Sequence, residues 1–147
     1  MKTLVIGAAI IDIIMKIKRL PKSGEDILCS ETVSAVGGCA YNVAGTLRGF
    51  GVDHDLFVPV GRGMYGDMIA GDLEKLGYQI LIREEESDNG YCLCLVEEDG
   101  ERTFITVKGA EGRFRPSWFE QLSQYAYDSI YVAGYQVCGT SGGVISD

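Results

Sequence analysis

The sequence predicts an α/β fold built on a largely parallel β-sheet. Short apolar segments alternate with amphipathic ones in the order strand–helix–strand–helix–strand, which is typical of parallel strands joined by helical crossovers. Apolar residues make up 46% of the 147 residues and charged residues 23%, the composition of an ordinary globular domain with a sizeable core. The 20 glycines stand mainly at the predicted ends of elements, where they indicate turns.

The first strand and the first helix are the clearest elements. Residues 3–7 are a short apolar and β-branched run that ends in glycine, which predicts a buried strand. The pair Gly37-Gly38 opens a helix, because apolar residues then recur at the helical spacing i, i+3, i+4 and i+7. Two further glycines, Gly49 and Gly51, end this helix. Its apolar residues are Ala40, Val43, Ala44 and Leu47.

The alternation continues along the rest of the chain. Residues 55–60 predict a strand, and Asp67 is placed to cap the next helix, which Gly77 ends. Residues 139–147 begin another helix after a strand. A crossover helix normally leads to a further parallel strand, so we expect this chain to be the first part of a larger domain. The segments between these elements predict, in order, a strand, a helix and a strand: 78–82, 118–126 and 129–133.

Several extended segments do not fit the alternation. They are residues 11–18, residues 27–36 and a hairpin over 90–108 with the turn EDGE. A hairpin with one side in water alternates apolar and polar residues, but here both faces are apolar. We therefore expect these strands either to cover a ligand on one side and a partner on the other, or to be buried in a single core. The two hairpin faces carry Tyr91, Leu93 and Leu95, and Cys92, Cys94 and Val96.

Charge and cysteine content exclude several classes of protein. The 13 basic and 21 acidic residues give a net charge of −8, so we expect neither nucleic-acid binding nor attachment to anionic membranes. No apolar run approaches the roughly 18 residues of a membrane helix. Asp12 interrupts the amino-terminal apolar run, which argues against a signal peptide. The five cysteines are an odd number in an acidic chain, so we expect free thiols and a cytoplasmic location. His54 is expected in a surface loop.

Two features could carry binding chemistry. Glycines such as Gly37-Gly38 let the backbone approach a ligand, and helix amides then face an anion or a polyhydroxy molecule, although such a pair also forms simple turns. Asp12 lies in an apolar setting near the end of the first strand, so its carboxylate is expected to cap a loop or to accept sugar hydroxyl groups. Cys92 and Cys94 lack the partners of a zinc site and are interpreted as small buried apolar residues. Neither a Rossmann fingerprint nor a P-loop motif occurs.

Residues 37–44, Gly-Gly-Cys-Ala-Tyr-Asn-Val-Ala, resemble the first signature of the ribokinase/PfkB carbohydrate kinases. That signature has a glycine pair, then an asparagine four residues later, here Asn42, on a helix that runs through Leu47 to Gly51. The resemblance spans essentially the whole chain, because other segments follow in the order of the family. They are the first strand leading to Gly7 and Asp12, the block VGRGMYGD at 60–67, and the hairpin that runs into Lys108-Gly109-Ala110.

The resemblance implies a ribokinase-like three-layer α/β/α sandwich with a small β-sheet lid, in which residues 1–147 are the amino-terminal part of a single domain. The lid strands would be about 11–18, 27–36 and 90–108. The implied reaction transfers the γ-phosphoryl group of ATP, with Mg²⁺, to a hydroxyl group of a sugar or a nucleoside. Asp12 would bind hydroxyl groups of this substrate. The other residues that the resemblance places in the substrate pocket are Gly37, Gly38, Asn42, Cys92, Cys94 and Gln136.

The chain departs from ribokinase at several polar positions. Ile10 and Cys39 stand where ribokinase has Asn and Lys, and Gln136 stands where it has Glu. The Gly-Ala-Asn that often closes the lid hairpin reads Gly-Ala-Glu, ending at Glu111. A bulkier or less polar acceptor, such as a nucleoside or a modified sugar, is therefore at least as good a hypothesis as ribose. The alternatives are a non-catalytic sugar- or nucleoside-binding or regulatory module of the same fold, and an unrelated α/β protein.

The resemblance also implies which parts of a kinase this chain lacks. The catalytic base of the family belongs to a Gly-Ala-Gly-Asp motif, which does not occur in the sequence. The acidic motif linked to Mg²⁺ and the adenine pocket are likewise expected beyond residue 147. We therefore expect no catalytic and no metal-binding residue here, and no phosphorylation by isolated residues 1–147. The two-faced hairpin and the resemblance together predict a homodimer formed through the lids.

Overall fold

The computed structural model describes residues 1–138 and 142–146, which form three β-sheets with helices packed around them. In chain order the strands are β1 (Thr3–Ile6), β2 (Ile10–Lys16), β3 (Glu31–Gly37), β4 (His54–Phe57), β5 (Pro59–Val60), β6 (Ile82–Arg83), β7 (Tyr91–Val96), β8 (Arg102–Val107) and β9 (Ser129–Val132). The α-helices are α1 (Cys39–Gly49), α2 (Met64–Lys75), α3 (Pro116–Phe119), α4 (Gly134–Val137) and α5 (Gly142–Ser146). Two 3₁₀ helices span Ala110–Gly112 and Glu120–Gln124.

The central sheet is parallel and has the strand order β4–β1–β9. In its register Thr3 stands opposite both His54 and Ser129. All four residues of β1 are buried, as expected for an apolar and β-branched run in the middle of a parallel sheet. β5 and β6 form a separate two-stranded parallel sheet. The predicted α/β fold with parallel pairing is thus confirmed.

Each face of the central sheet has its own apolar cluster. Val5 belongs to the cluster that α1 and α2 cover, whereas Leu4 and Ile6 pack with Phe57 and Phe114 on the opposite face. This division follows from the alternation of side chains along β1. Helix α3 and the 3₁₀ helix after it contribute aromatic and aliphatic side chains to the second cluster. The three-layer α/β/α arrangement is therefore confirmed as well.

The remaining strands form a four-stranded sheet in the order β3–β2–β7–β8, which we call the lid sheet. β2 pairs antiparallel with β3 and parallel with β7, and β7 forms the antiparallel hairpin with β8. The base of this sheet is anchored to the body of the molecule. Ile11 is fully buried, and the ring of Tyr91 packs against that of Tyr65 in α2 with the ring centroids 5.1 Å apart.

Helix α2 is capped by a residue distant in sequence. Asp67 lies inside its first turn rather than before it and makes no capping bond, so the capping role predicted for Asp67 is wrong. The carboxylate of Asp88 accepts hydrogen bonds from the backbone N–H groups of Tyr65 at 3.2 Å and Gly66 at 2.6 Å. Asp67 instead forms an exposed ion pair with Arg83 at 2.7 Å. A carboxylate at this end of a helix also interacts favourably with the helix dipole.

Three predicted segments are divided or shortened. The predicted strand 55–60 becomes β4 and β5, because the chain leaves the central sheet after Phe57 and pairs with β6 from Pro59 onward. Of the predicted strand 78–82, only the last residue belongs to β6. Most of the predicted helix 118–126 is 3₁₀-helical.

Two remaining expectations concern His54 and the end of the chain. His54 lies in β4, and its ring contacts the carbonyl oxygen of Val52 and the hydroxyl group of Tyr78, each at 2.7 Å, so its assignment to a surface loop is wrong. The helix predicted over 139–147 corresponds to α5, while residues 139–141 and 147 lie outside the described residues. Within the described part of the chain, no helix is long and apolar enough to cross a membrane.

Replacing Asp88 with alanine should lower the free energy of unfolding by about 2–3 kcal/mol, because two amide groups of α2 lose a charged acceptor. Asp67→Ala is the matched control, since the same helix then loses only an exposed ion pair worth about 1 kcal/mol or less. Urea denaturation of both variants measures the difference. Equal losses in the two variants would show that Asp88 is not the cap.

Candidate functional site

The lid sheet carries Asp12 in the middle of one face. Asp12 in β2 stands opposite Ala35 of β3 and Cys92 of β7, and Cys92 stands opposite Thr106 of β8. Residues directly opposite each other on neighbouring strands share a face of the sheet, so these four side chains form one row. We call this side of the lid sheet the Asp12 face. The next row on it contains Ile14, Cys94 and Phe104.

Two glycines bring the carboxylate of Asp12 to the start of α1. A Cβ atom on Gly37 would overlap Oδ2 of Asp12, so any side chain at position 37 would displace the carboxylate. Gly38 has a φ of 102°, and a Cβ atom there would lie 2.5 Å from the carbonyl oxygen of Ala8. Glycine at position 37 therefore leaves room for the carboxylate of Asp12. Glycine at position 38 allows the positive φ of the turn that begins the helix.

The amino-terminal end of α1 lies beside this carboxylate. Gly38 is the N-cap residue, and no side chain caps the helix. The N–H group of Asn42 donates to the carbonyl oxygen of Gly38 at 3.0 Å, so the amides before Asn42 have no acceptor within the helix. Asn42 is exposed and stands one turn along the helix from Gly38. Amides at such a helix end favour anions and hydroxyl oxygens.

The charge state of Asp12 is set by its surroundings. Partial burial raises the pKa of its carboxyl group, and burial is the only cause of the shift. The carboxylate thus loses hydration without gaining a charged partner. A ligand whose hydroxyl groups donate hydrogen bonds to the Asp12 carboxylate would replace the water that burial removes.

Cys92 and Cys94 lie on the Asp12 face, and both are buried. The hydroxyl group of Thr106 donates to Sγ of Cys92 at 3.4 Å, and burial raises the pKa of the Cys94 thiol. Both side chains therefore act as small apolar surfaces on the Asp12 face. In the described residues, no group of three His, Cys, Asp or Glu side chains could hold a metal ion.

Gln136 lies in α4, directly beyond β9, and is 8% exposed. Its Oε1 atom is buried and has no hydrogen-bond partner among the described residues. A buried polar atom without a partner costs about 1–3 kcal/mol, so such an atom indicates a donor still to be supplied. The same end of the central sheet is tightly packed: a Cβ atom on Gly7 would lie 2.8 Å from that of Ala40 and 2.9 Å from that of Ala133.

The structure thus joins some of the residues singled out in the sequence and separates others. Asp12 and Gly37 are in direct contact, and Cys92 is the cross-strand neighbour of Asp12. Asn42 and Gln136 are on different helices, α1 and α4.

Sequence reasoning missed a buried polar pair, Asn89 and Glu111, at the base of the lid sheet. The only signal for it was the glutamate at position 111 after Gly-Ala, where ribokinases often have asparagine.

We compared the sequence with models of known protein families. Residues 1–142 match the model of the pfkB family carbohydrate kinases. The chain belongs to this family. The glycine pair, the helix that follows it and the lid hairpin all lie within the matched range.

Curated pfkB relatives are about twice as long as this chain or longer. The uncharacterized sugar kinase YegV of Escherichia coli K12 is 39% identical over 139 residues, which cover 95% of this chain and 43% of that protein. The ribokinase of Arabidopsis thaliana is 28% identical over 134 residues, which cover 88% of this chain and 35% of that protein. The chain therefore spans less than half the length of either relative.

Solved structures in the pfkB family share the fold. Ribokinase from Giardia lamblia superposes with a TM-score of 0.80 at 25% identity, covering 89% of this chain and 44% of that one. Arabidopsis thaliana ribokinase, solved with ribose and ATP, gives a TM-score of 0.64 at 28% identity, covering 74% and 36%. The ribokinase-like fold implied by the sequence is thus confirmed.

Gly38→Ala should lower the free energy of unfolding by about 1–3 kcal/mol, because alanine is strained at this positive φ and collides with Ala8. Gly45→Ala is the matched control in the same helix. A Cβ atom on Gly45 meets nothing within 4 Å, so alanine should raise the free energy of unfolding by about 0.5–1 kcal/mol. Chemical denaturation compares the two. A neutral Gly38→Ala variant would contradict the assigned turn geometry.

Asp12→Asn should make the unliganded protein more stable at neutral pH. Burial raises the pKa of Asp12 in the folded state above its value in the unfolded state. Below the unfolded-state pKa the carboxyl group is protonated in both states, and its burial then costs no charge. This stability is lost as the pH rises through the folded-state pKa, and the uncharged Asn avoids the loss. We therefore expect Tm to rise at pH 7 and to rise less at pH 4. Calorimetry measures both, with the exposed Asp26→Asn as control. A lower Tm at pH 7 would show that the carboxylate is already well paired.

Proposed function

We propose that the protein containing this chain is an ATP-dependent kinase that phosphorylates a hydroxyl group of a sugar or a nucleoside, and that this chain supplies the acceptor-binding half. The partly buried carboxylate of Asp12 at the start of α1, in a pfkB-family chain, supports this best. Since the chain spans less than half of its curated relatives, the activity of the whole protein is part of the proposal. The Arabidopsis ribokinase structure, solved with ribose and ATP, supports a sugar as the acceptor and ATP as the phosphoryl donor.

In this proposal Asp12 holds the acceptor by accepting hydrogen bonds from two of its hydroxyl groups. Hydrogen bonds to a charged group are strong, and a partly buried carboxylate has most to gain from them. Asn42 and the two glycines before α1 line the same pocket. Cys92 and Cys94 cover the acceptor from the lid side, and Oε1 of Gln136, which has no partner among the described residues, accepts a hydrogen bond from a further hydroxyl group.

The chemistry assigned to this chain is positioning. Phosphoryl transfer depends mainly on placing the attacking hydroxyl in line with the phosphorus and on stabilising charge. The acceptor pocket does the first of these, and the lid sheet excludes water that would otherwise compete as the acceptor. The described residues do not provide the clustered oxygen ligands that Mg²⁺ prefers, so we assign none of them to a metal and none to ATP.

We include a cytoplasmic location in the proposal. All five cysteines are free, and Cys92 and Cys94 are buried on the Asp12 face of the lid sheet. Unpaired thiols of this kind are typical of reducing compartments.

An acceptor screen tests the kinase proposal. ADP release is measured with ATP, the intact protein, and panels of free sugars and nucleosides. Asp12→Asn should raise the KM for the acceptor about 100-fold or more, because an amide replaces a charged acceptor of two hydrogen bonds, and should change the KM for ATP by less than about twofold.

Asp26→Asn, at an exposed position, is the control and should behave like the unsubstituted protein. Acceptor binding in calorimetry without ADP release would favour the non-catalytic binding module. Turnover that survives Asp12→Asn unchanged would contradict the assigned role of this carboxylate.

We also propose a homodimer formed through the lid sheets. The face opposite Asp12 is mainly apolar on β2, β7 and β8, and Ile105 and Val107 on it are 51% and 44% exposed. Exposed apolar patches of this kind mark interfaces, and a two-fold axis would bury the same patch on both copies. The exposed and partly buried apolar side chains of this outer face are Ile13, Met15, Leu93, Leu95, Ile105 and Val107, and its polar side chains include Thr32, Ser34 and Thr103.

Ile105→Lys should convert the dimer to a monomer, because a lysine at this position on the outer face would be buried without a partner in the interface. Phe104→Lys is the matched control, since its side chain lies on the Asp12 face of the same strand. Analytical ultracentrifugation over a concentration series reports the mass. A monomeric mass of the unsubstituted protein at every concentration would rule the dimer out.

A further inference from the structure

The lid sheet is joined to the rest of the molecule by four segments, which lie before β2, after β3, before β7 and after β8. Two polar side chains, Asn89 and Glu111, lie where three of these segments meet, and each is 4% exposed. Buried polar side chains that bond to several segments fix the arrangement of those segments. The proposed function gives neither residue a role.

Asn89 ties the start of the lid to the body. Its Oδ1 atom accepts the N–H group of Gly61 at 2.6 Å. Its Nδ2 atom donates to the carbonyl oxygens of Ala9 at 3.2 Å and Pro59 at 3.0 Å. Ala9 immediately precedes β2, and Pro59 begins β5. The amide group therefore uses both its acceptor and its donors at a site closed to water.

Glu111 joins the two ends of the lid hairpin. Its Oε2 atom accepts the N–H group of Gly90 at 2.8 Å, just before β7, and its Oε1 atom accepts the N–H group of Gly109 at 2.9 Å, just after β8. Oε2 also lies 3.5 Å from Nδ2 of Asn89, so the two side chains form one cluster. Bonds of this kind to a carboxylate are roughly twice as strong as bonds between neutral groups.

The backbone around the cluster is packed too closely to shift. A Cβ atom on Gly90 would lie 2.5 Å from Oε1 of Glu111, and one on Gly109 would overlap the backbone of Gly90. Such close approach is possible only because both residues are glycines. The position of the carboxylate therefore determines how the ends of β7 and β8 are held.

We infer that Asn89 and Glu111 are positioning residues that set the lid sheet relative to the central sheet and thereby set the place of Asp12. Two short paths connect the cluster to Asp12. Asn89 holds Ala9 at the start of the same strand, and the N–H group of Ile11 donates to the carbonyl oxygen of Gly90 at 3.3 Å. The inference rests on the proposed function, because it concerns how the acceptor-binding carboxylate is placed.

Glu111→Gln in the intact protein tests the inference. The side chain keeps its shape, but its new NH₂ group faces a backbone N–H group, so one hydrogen bond is lost. We expect the KM for the acceptor to rise about tenfold, because a small displacement of Asp12 weakens its hydrogen bonds to the acceptor. The kcat and the KM for ATP should change by less than about twofold. Asn89→Ser, which removes the amide donors but leaves Glu111 in place, should act in the same direction. Glu98→Gln, at the exposed tip of the hairpin, is the control and should have no effect.

Hydrogen exchange separates positioning from general destabilisation. In Glu111→Gln the amides paired within β2 and β7 should stay protected, while the one amide of Gly90 or Gly109 that faces the new NH₂ group exchanges faster. Loss of protection throughout the lid sheet together with a fall in kcat would overturn the inference, as would an unchanged acceptor KM in both variants of an active enzyme. If the unsubstituted protein binds the acceptor without phosphorylating it, the kinase proposal fails, and the same comparison of variants is made on the acceptor Kd. If it binds no acceptor at all, both proposals are overturned.

Discussion

The Asp12 face depends on one steric constraint, which is that position 37 carries no side chain. The carboxylate of Asp12 occupies the space where a Cβ atom on Gly37 would lie, and it reaches the start of α1 only for that reason. Gly38 then turns the chain into the helix at a positive φ. One pair of residues therefore fixes both the end of β3 and the start of α1, and it places a carboxylate against the residue that precedes the N-cap. Partial burial raises the pKa of the Asp12 carboxyl group.

A second set of contacts holds the lid sheet to the body, and it is centred on two adjacent residues. Asp88 caps α2, while Asn89 bonds to backbone groups next to β2 and β5. The helix below the lid and the strand that carries Asp12 are thus anchored to the same short segment. Glycines at positions 61, 90 and 109 allow the close backbone contacts that this requires. The block VGRGMYGD, which the sequence singled out as part of a family pattern, has a structural reason of its own: its glycines make room for Ser87, Asp88 and Asn89.

Local patterns were sufficient to predict much of the fold. The apolar periodicity after Gly38 predicts α1, and the two apolar runs around EDGE predict the hairpin β7–β8, because both depend on residues close in sequence. Features that depend on distant residues were not predictable. The cap of α2 comes from Asp88, the break between β4 and β5 depends on the position of β6, and Glu111 is buried only because Gly90 and Gly109 meet it. For the candidate site, physical reasoning selected Asp12 and the glycine pair, and the family resemblance added the other residues.

The strand pairing also has a consequence for how the molecule is made. Thr3 of β1 bonds to Ser129 of β9 across 126 positions, and Ala9, just before β2, bonds to Asn89, just before β7, across 80 positions. The strands β1 and β2 therefore pair with β9 and β7 only after these later strands have been synthesised. At about 5–20 residues per second, the delay between Thr3 and Ser129 is roughly 6–25 s on the ribosome. During that time the apolar edges of β1 and β2 are unpaired, which is the state in which nascent chains aggregate or recruit chaperones. The row of side chains around Asp12 is consequently completed only after β7 and β8 have been synthesised.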